Sequence, residues 1–145
     1  MGYVTAKIKL SNPSKTNLCP VLVDALVDTG ALMLCLPQHV AQQLELKESS
    51  LREVTTADGR SQKVPYVGPV EVKFEDRNCF VGALVIGDEV LLGAVPMEDM
   101  DLVITPATQS VTVNPASPNF PHARVKQLYP SRMRIPMVTV QLLGK

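Results

Sequence analysis

Val21-Leu22-Val23-Asp24-Ala25-Leu26-Val27-Asp28-Thr29-Gly30-Ala31 is the stretch on which the reading of the fold turns. Val21 to Val27 is an almost unbroken apolar run of strand length, so it reads as a buried β-strand that delivers the chain into Asp28-Thr29-Gly30. Gly30 permits a sharp turn and lets a backbone N–H approach the Asp28 carboxylate. Thr29 can hydrogen-bond across such a loop and lock it, and the strand ahead of Asp28 supplies rigidity. Ala31 and the apolar Leu32 to Leu36 follow, so a short polar loop lies between two apolar segments. Asp-Thr-Gly alone is simply a good turn; its setting singles Asp28 out.

Working outward, short strands dominate. Val4, Ala6, Ile8 and Leu10 alternate with Thr5, Lys7 and Lys9, the period of a half-buried strand. Pro37 opens a short helix, where its missing N–H costs nothing, and Val40 and Leu44 share one face of it. Leu51 to Ala57 and Arg60 to Val67 read as two strands joined by a two-residue Asp58-Gly59 hairpin, because both residue types accept positive φ. Gly68-Pro69 reads as a further turn. Val70 to Phe74 and Cys79 to Ile86 are the next strands, around Asp76-Arg77-Asn78. Val90 to Gly93 is a short buried strand, Pro96 to Met100 one or two helical turns, and Leu102–Thr105 with Ser110–Val113 a final hairpin. After Asn114, prolines punctuate a segment of little periodicity. A domain over 1–114 with a Pro-rich, partly mobile extension over 115–145 is therefore expected, and Met137 to Leu143 could form a last strand.

The chain has 145 residues, which suits one domain, and its 14 Lys and Arg balance 14 Asp and Glu. A nucleic-acid surface normally needs a basic stripe, and none is present. No run is long and apolar enough to span a membrane. Met1-Gly2 is not followed by Ser or Thr at position 6, which argues against myristoylation, and no secretion signal is legible. Three cysteines, Cys19, Cys35 and Cys79, are too few and too odd for a disulfide framework. A cytoplasmic location is the expectation. Asp24 reads as a solvent-facing strand residue, too far along the strand to partner Asp28. Cys35 and His39 have a spacing that would suit a metal pair on a helix, but Pro37 between them breaks it, and Cys35 reads as a buried apolar group. No metal and no cofactor are expected. His122 reads as solvated, as do Arg124, Lys126, Arg132 and Arg134 of the basic tail.

The order Asp28-Thr29-Gly30-Ala31, then Asp58-Gly59, then Leu91-Leu92-Gly93 resembles the retropepsin family of aspartic proteases. Asp88 to Ala94 and Val113-Asn114-Pro115 look most like its bacterial single-domain members. The resemblance covers roughly residues 3 to 126. It implies a mainly β fold, a closed barrel with one or two short helices, in which the Asp28 strand enters a ψ-shaped loop crossed by Leu92-Gly93. It implies a flap at Ala57, Asp58 and Gly59. It also implies an aspartic endopeptidase acting on extended polypeptide segments. Such chemistry flanks one water with two carboxyl groups, which share a proton because both cannot ionise at that spacing. Only one Asp-Thr-Gly is present, so each chain supplies half a site and a homodimer is implied. Val27, Ala31, Val54, Leu84 and Val85 are expected near the site.

Viral retropepsins carry an acidic residue after Gly-Ala and an Arg after the second apolar-glycine motif. Here Leu32-Met33 and Ala94 occupy those places, so that ion pair is absent, and the 102–113 hairpin could help hold the dimer. A charged flap tip with one glycine leaves a second reading open, a peptide-binding or dimerisation module of the same fold without turnover.

Overall fold

The alternation in the first segment becomes a strand whose faces differ sharply: Ala6, Ile8 and Leu10 are buried while Thr5, Lys7 and Lys9 face water. This strand, β1 (Thr5–Ser11), is followed by β2 (Val21–Val27), β3 (Leu34–Leu36), α1 (Gln38–Gln43), β4 (Glu48–Thr55), β5 (Ser61–Phe74), β6 (Arg77–Val85), β7 (Leu91–Leu92), α2 (Ala94–Asp99), β8 (Leu102–Thr105) and β9 (Ser110–Val113). The structure, a computed structural model, describes residues 3–125. The expected strand at Met137 to Leu143 lies outside the described residues.

The strands β5, β6, β3, β7, β2 and β1 are neighbours in that order, and β1 pairs back onto β5 with Leu10 opposite Val72. The sheet thus closes into a barrel, which removes the exposed edges an open sheet would carry. Mainly β, a closed barrel and two short helices are as expected. β4 extends the sheet beyond β5, and the β8–β9 hairpin hangs beside β1, with Thr5 opposite Ser110. The barrel interior is filled by Leu10, Val70, Val72, Leu34, Leu36 and Leu92, all fully buried. Each such side chain contributes about 1.5–3 kcal/mol of burial. Val40 and Leu44 of the α1 region and Met97 and Met100 of the α2 region add to the same core.

Three local expectations are corrected. β2 is not a buried strand: only Ala25 is fully buried, and Leu22 is 75% exposed. A barrel wall has one interior face, so alternate residues of β2 look outward despite being apolar. Gly68-Pro69 does not end a strand. β5 runs through it and absorbs it as a bulge, with the pairing to β6 shifting between Val67 and Val70. The β4–β5 hairpin is wider than a two-residue turn. Thr56 and Arg60 pair, the Gly59 N–H donates to the Thr56 carbonyl at 2.9 Å, and within the loop only Gly59 takes positive φ (85°). Ala57 and Asp58 are therefore the central turn residues, and Gly59 is the left-handed residue that returns the chain to the strand.

Candidate active site

Asp28 lies where β2 runs out, and its backbone is held from two sides. The Val27 N–H donates to the Val4 carbonyl at 2.9 Å and the Asp28 N–H to the Leu92 carbonyl at 3.1 Å. The Ala31 N–H closes a turn on the Asp28 carbonyl at 3.0 Å, and the Gly30 N–H donates to Asp28 Oδ1 at 2.9 Å. One carboxylate oxygen is thus fixed by the loop itself. Asp28, Thr29 and Gly30 are exposed, and among the described residues nothing else hydrogen-bonds the Asp28 carboxylate or the Thr29 hydroxyl.

The chain beyond the loop is tied to the start of α2. The Ala94 and Val95 N–H groups donate to the Ala31 and Leu32 carbonyls at 2.9 and 2.8 Å. Gly93 sits under this crossing and is buried. A Cβ there would lie 2.4 Å from the Met33 carbonyl oxygen and 2.8 Å from that of Ala31, so only glycine allows residues 31–33 to pass this close. The expected crossing of Leu92-Gly93 with the Asp28 loop is therefore present in backbone detail.

An apolar floor adjoins the loop. Cys35, Val64 and Leu84 form a second buried cluster, flanked by Met33, Val54 and Tyr66. The hairpin strands β4 and β5 thereby rest on β3 and β6. Burial pushes the Cys35 thiol up, and the Asp28 charge pushes it further in the same direction. Cys35 is buried, as the sequence suggests, and Asp28 is close enough to act on it. Of the residues expected near the site, Val54 and Leu84 join this cluster, whereas Val27 and Val85 pack against the main core. Asp24 is exposed and pairs with Lys7 at 3.3 Å across β1–β2.

Ala57, Asp58 and Gly59 form the hairpin tip. Asp58 Oδ1 accepts from the Thr56 hydroxyl and from the Arg60 N–H, and Oδ2 lies 3.4 Å from Arg60 Nε. These hydrogen bonds, the Thr56 hydroxyl first, hold the Asp58 carboxyl below its ordinary range. The charge at the tip is used to brace the turn.

Sequence reasoning missed a polar latch on the far side. Arg77 is 2% exposed at the start of β6. Its Nη1 donates to the Met100 and Asp101 carbonyls at 3.1 Å, and Nη2 donates to the Ser117 carbonyl. Asp101 accepts from the Ser117 hydroxyl, Asn114 Nδ2 and the His122 N–H, which together hold its carboxyl down to about 2. Residues 114–122 are thereby fastened to the barrel. The available signal was parity, since Arg77 shares the inward face of β6 with Cys79.

A closed β-barrel with an Asp-Thr-Gly loop crossed by a buried apolar-glycine segment defines a retropepsin-like aspartyl protease domain. Residues 20–98 match the gag-polyprotein putative aspartyl protease family, and the chain belongs to that family. The match takes in the Asp28 loop, the hairpin and the Leu92-Gly93 crossing. No curated protein matches the chain.

Proposed function

We propose that the chain is an aspartic endopeptidase that works as a homodimer, with Asp28 of each copy supplying one of two carboxyl groups around a shared water. The observation that carries this is the state of the loop: one exposed carboxylate per chain, on a backbone fixed by neighbours on both sides. One carboxyl of such a pair takes a proton from water while the other donates to the substrate carbonyl oxygen, so no covalent intermediate is needed. Gly30 holds the carboxylate in place, Thr29 reaches toward the partner loop, and Ala31 leaves room beside it. Ala57, Asp58 and Gly59 cover an extended polypeptide substrate, adding backbone hydrogen bonds and excluding water.

Leu32 and Val95 support the second copy. They are hydrogen-bonded neighbours beside the Asp28 loop and remain 65% and 41% exposed. Leu32, and Ala94 directly before Val95, stand where viral relatives place their ion pair, and apolar contact across the twofold axis replaces it. The β8–β9 hairpin adds to this contact, and the protease domain ends near Asn114. Cys19, Cys35 and Cys79 are all free thiols, which suits a reducing, cytoplasmic setting. The test is cleavage of a denatured protein mixture by wild type and Asp28→Asn from about pH 4 to 7, the range expected for a coupled carboxyl pair. Wild-type cleavage that the substitution abolishes supports the proposal. No cleavage by a protein that is dimeric in solution favours a peptide-binding module, a reading consistent with the missing ion pair.

A further inference from the structure

A groove continues outward from the apolar floor. Met33 and Tyr66 belong both to the second cluster and to this groove, whose lining also includes Phe80, Gly82, Val95 and Asp99. Gly82 makes it possible: a Cβ there would lie 2.1 Å from Tyr66 Oη, so the phenol lies directly over the glycine. Arg52 of β4 sits 3.9 Å over the Tyr66 ring and anchors it without lining the groove. Phe80 is 58% exposed on the outer wall. The volume is about 210 Å³, below the roughly 300–1,000 Å³ of a small-molecule site. It suits one side chain.

The walls are apolar, and among the described residues Asp99 is the one charged residue lining the groove. Among the described residues Asp99 joins no ion pair and no side-chain hydrogen bond. An apolar trough with one free carboxylate matches a side chain with an apolar stem and a cationic head. We infer that this groove is a specificity subsite for a lysine or arginine of the bound polypeptide, at a position away from the scissile bond, with Asp99 as its charge partner. The inference rests on the peptide-cleft reading above but not on turnover. Met33 ties the groove to the Asp28 loop: it lies five residues beyond Asp28, and its carbonyl oxygen packs against Gly93 at the crossing.

The experiment uses the full chain carrying Asp28→Asn, so that peptides bind without being cut. Short labelled peptides of alternating valine and threonine carry lysine, norleucine or glutamate at each position in turn, and binding is read by fluorescence anisotropy. Lysine at one or two off-centre positions is expected to bind about two- to fivefold tighter than norleucine, the range of an exposed charge pair. Adding Asp99→Asn should erase that difference and leave the norleucine affinity unchanged. Asp99→Lys, a cation placed at the C-terminal end of α2 where the helix dipole favours it, should transfer the preference to glutamate. A lysine preference that survives Asp99→Asn, or none at any position, overturns the inference. So does a change in sedimentation on Asp99 substitution without a change in selectivity, which would make the groove an interface between copies. Wild-type cleavage of the same peptides separates the two claims: no cleavage with an intact lysine preference defeats only the protease reading.

Discussion

Replacing Gly93 with alanine should damage both the fold and the site through one added methyl group. Gly93 has φ −88° and ψ −171°, a conformation alanine adopts freely, so no backbone strain is involved. The cost is steric. The new Cβ would meet the Met33 carbonyl oxygen at 2.4 Å, the Ala31 oxygen at 2.8 Å and the Leu32 carbonyl carbon at 2.8 Å. All three are backbone atoms of the segment that follows Asp28, and none can rotate away. Relief requires that segment to move by more than half an ångström, which stretches the Ala94-to-Ala31 and Val95-to-Leu32 hydrogen bonds of 2.9 and 2.8 Å. Overpacking costs about 1–3 kcal/mol, and each weakened bond about 1 kcal/mol. A loss of about 3–5 kcal/mol is expected, a large part of a total of about 5–15 kcal/mol. Urea unfolding followed by circular dichroism reads it directly. Gly82→Ala is the internal comparison, because its clash is with the Tyr66 side chain, which can swing outward. A Gly93→Ala cost below about 0.5 kcal/mol, the range of ordinary surface substitutions, or one smaller than that of Gly82→Ala, would refute the reasoning.

Leu10→Ala empties a fully buried position in the barrel and should cost about 2–5 kcal/mol by urea unfolding. Arg77→Ala leaves the Met100, Asp101 and Ser117 carbonyls without their donor; a loss of about 1–3 kcal/mol is expected, with faster proteolysis after Asn114. The Asp101 carboxyl titrates lower in the folded chain than in the unfolded one, so its ionised form favours folding. Its contribution is complete above the unfolded value of about 4 and disappears as pH falls to about 2. Protection of the His122 amide, the intrinsic exchange rate divided by the observed rate at the same pH, should therefore hold across pH 4–7 and fall below it. Asp58 follows the same direction, so the hairpin tip remains braced across pH 4–7, and Asp58→Asn should raise exchange at the Arg60 N–H.

The parts of the fold legible from sequence are those set by local pattern. The bounds of β2, β8 and β9 match the apolar runs that suggested them, and Pro37 does stand at the head of α1. Asp28 and Gly30 stand together as the motif suggested, because a two-residue contact is written in adjacent letters. What was not legible depends on closure. Whether Leu22 faces water is decided by which side of β2 becomes the barrel interior, and β1, β7 and the core residues decide that together. Gly68-Pro69 has the letters of a turn, yet pairing with β6 on both sides keeps β5 running through it. Arg77 looked like turn chemistry because its acceptors are contributed by residues 100, 101 and 117, far along the chain. The groove beside Met33 needed Gly82 and Tyr66 to meet across β5 and β6, a register that no single segment announces.

The central claim is that two Asp28 carboxyl groups from two copies act together. Mixing wild type with increasing proportions of Asp28→Asn, allowing subunits to exchange, and measuring peptide hydrolysis tests it most directly. Asp28 is exposed, so the substituted chain should fold and assemble as wild type does. If each site needs both copies, total activity follows the square of the wild-type fraction, and each wild-type chain loses activity as it is diluted. Activity that stays proportional to the amount of wild-type chain would contradict the account, because one Asp28 would then suffice.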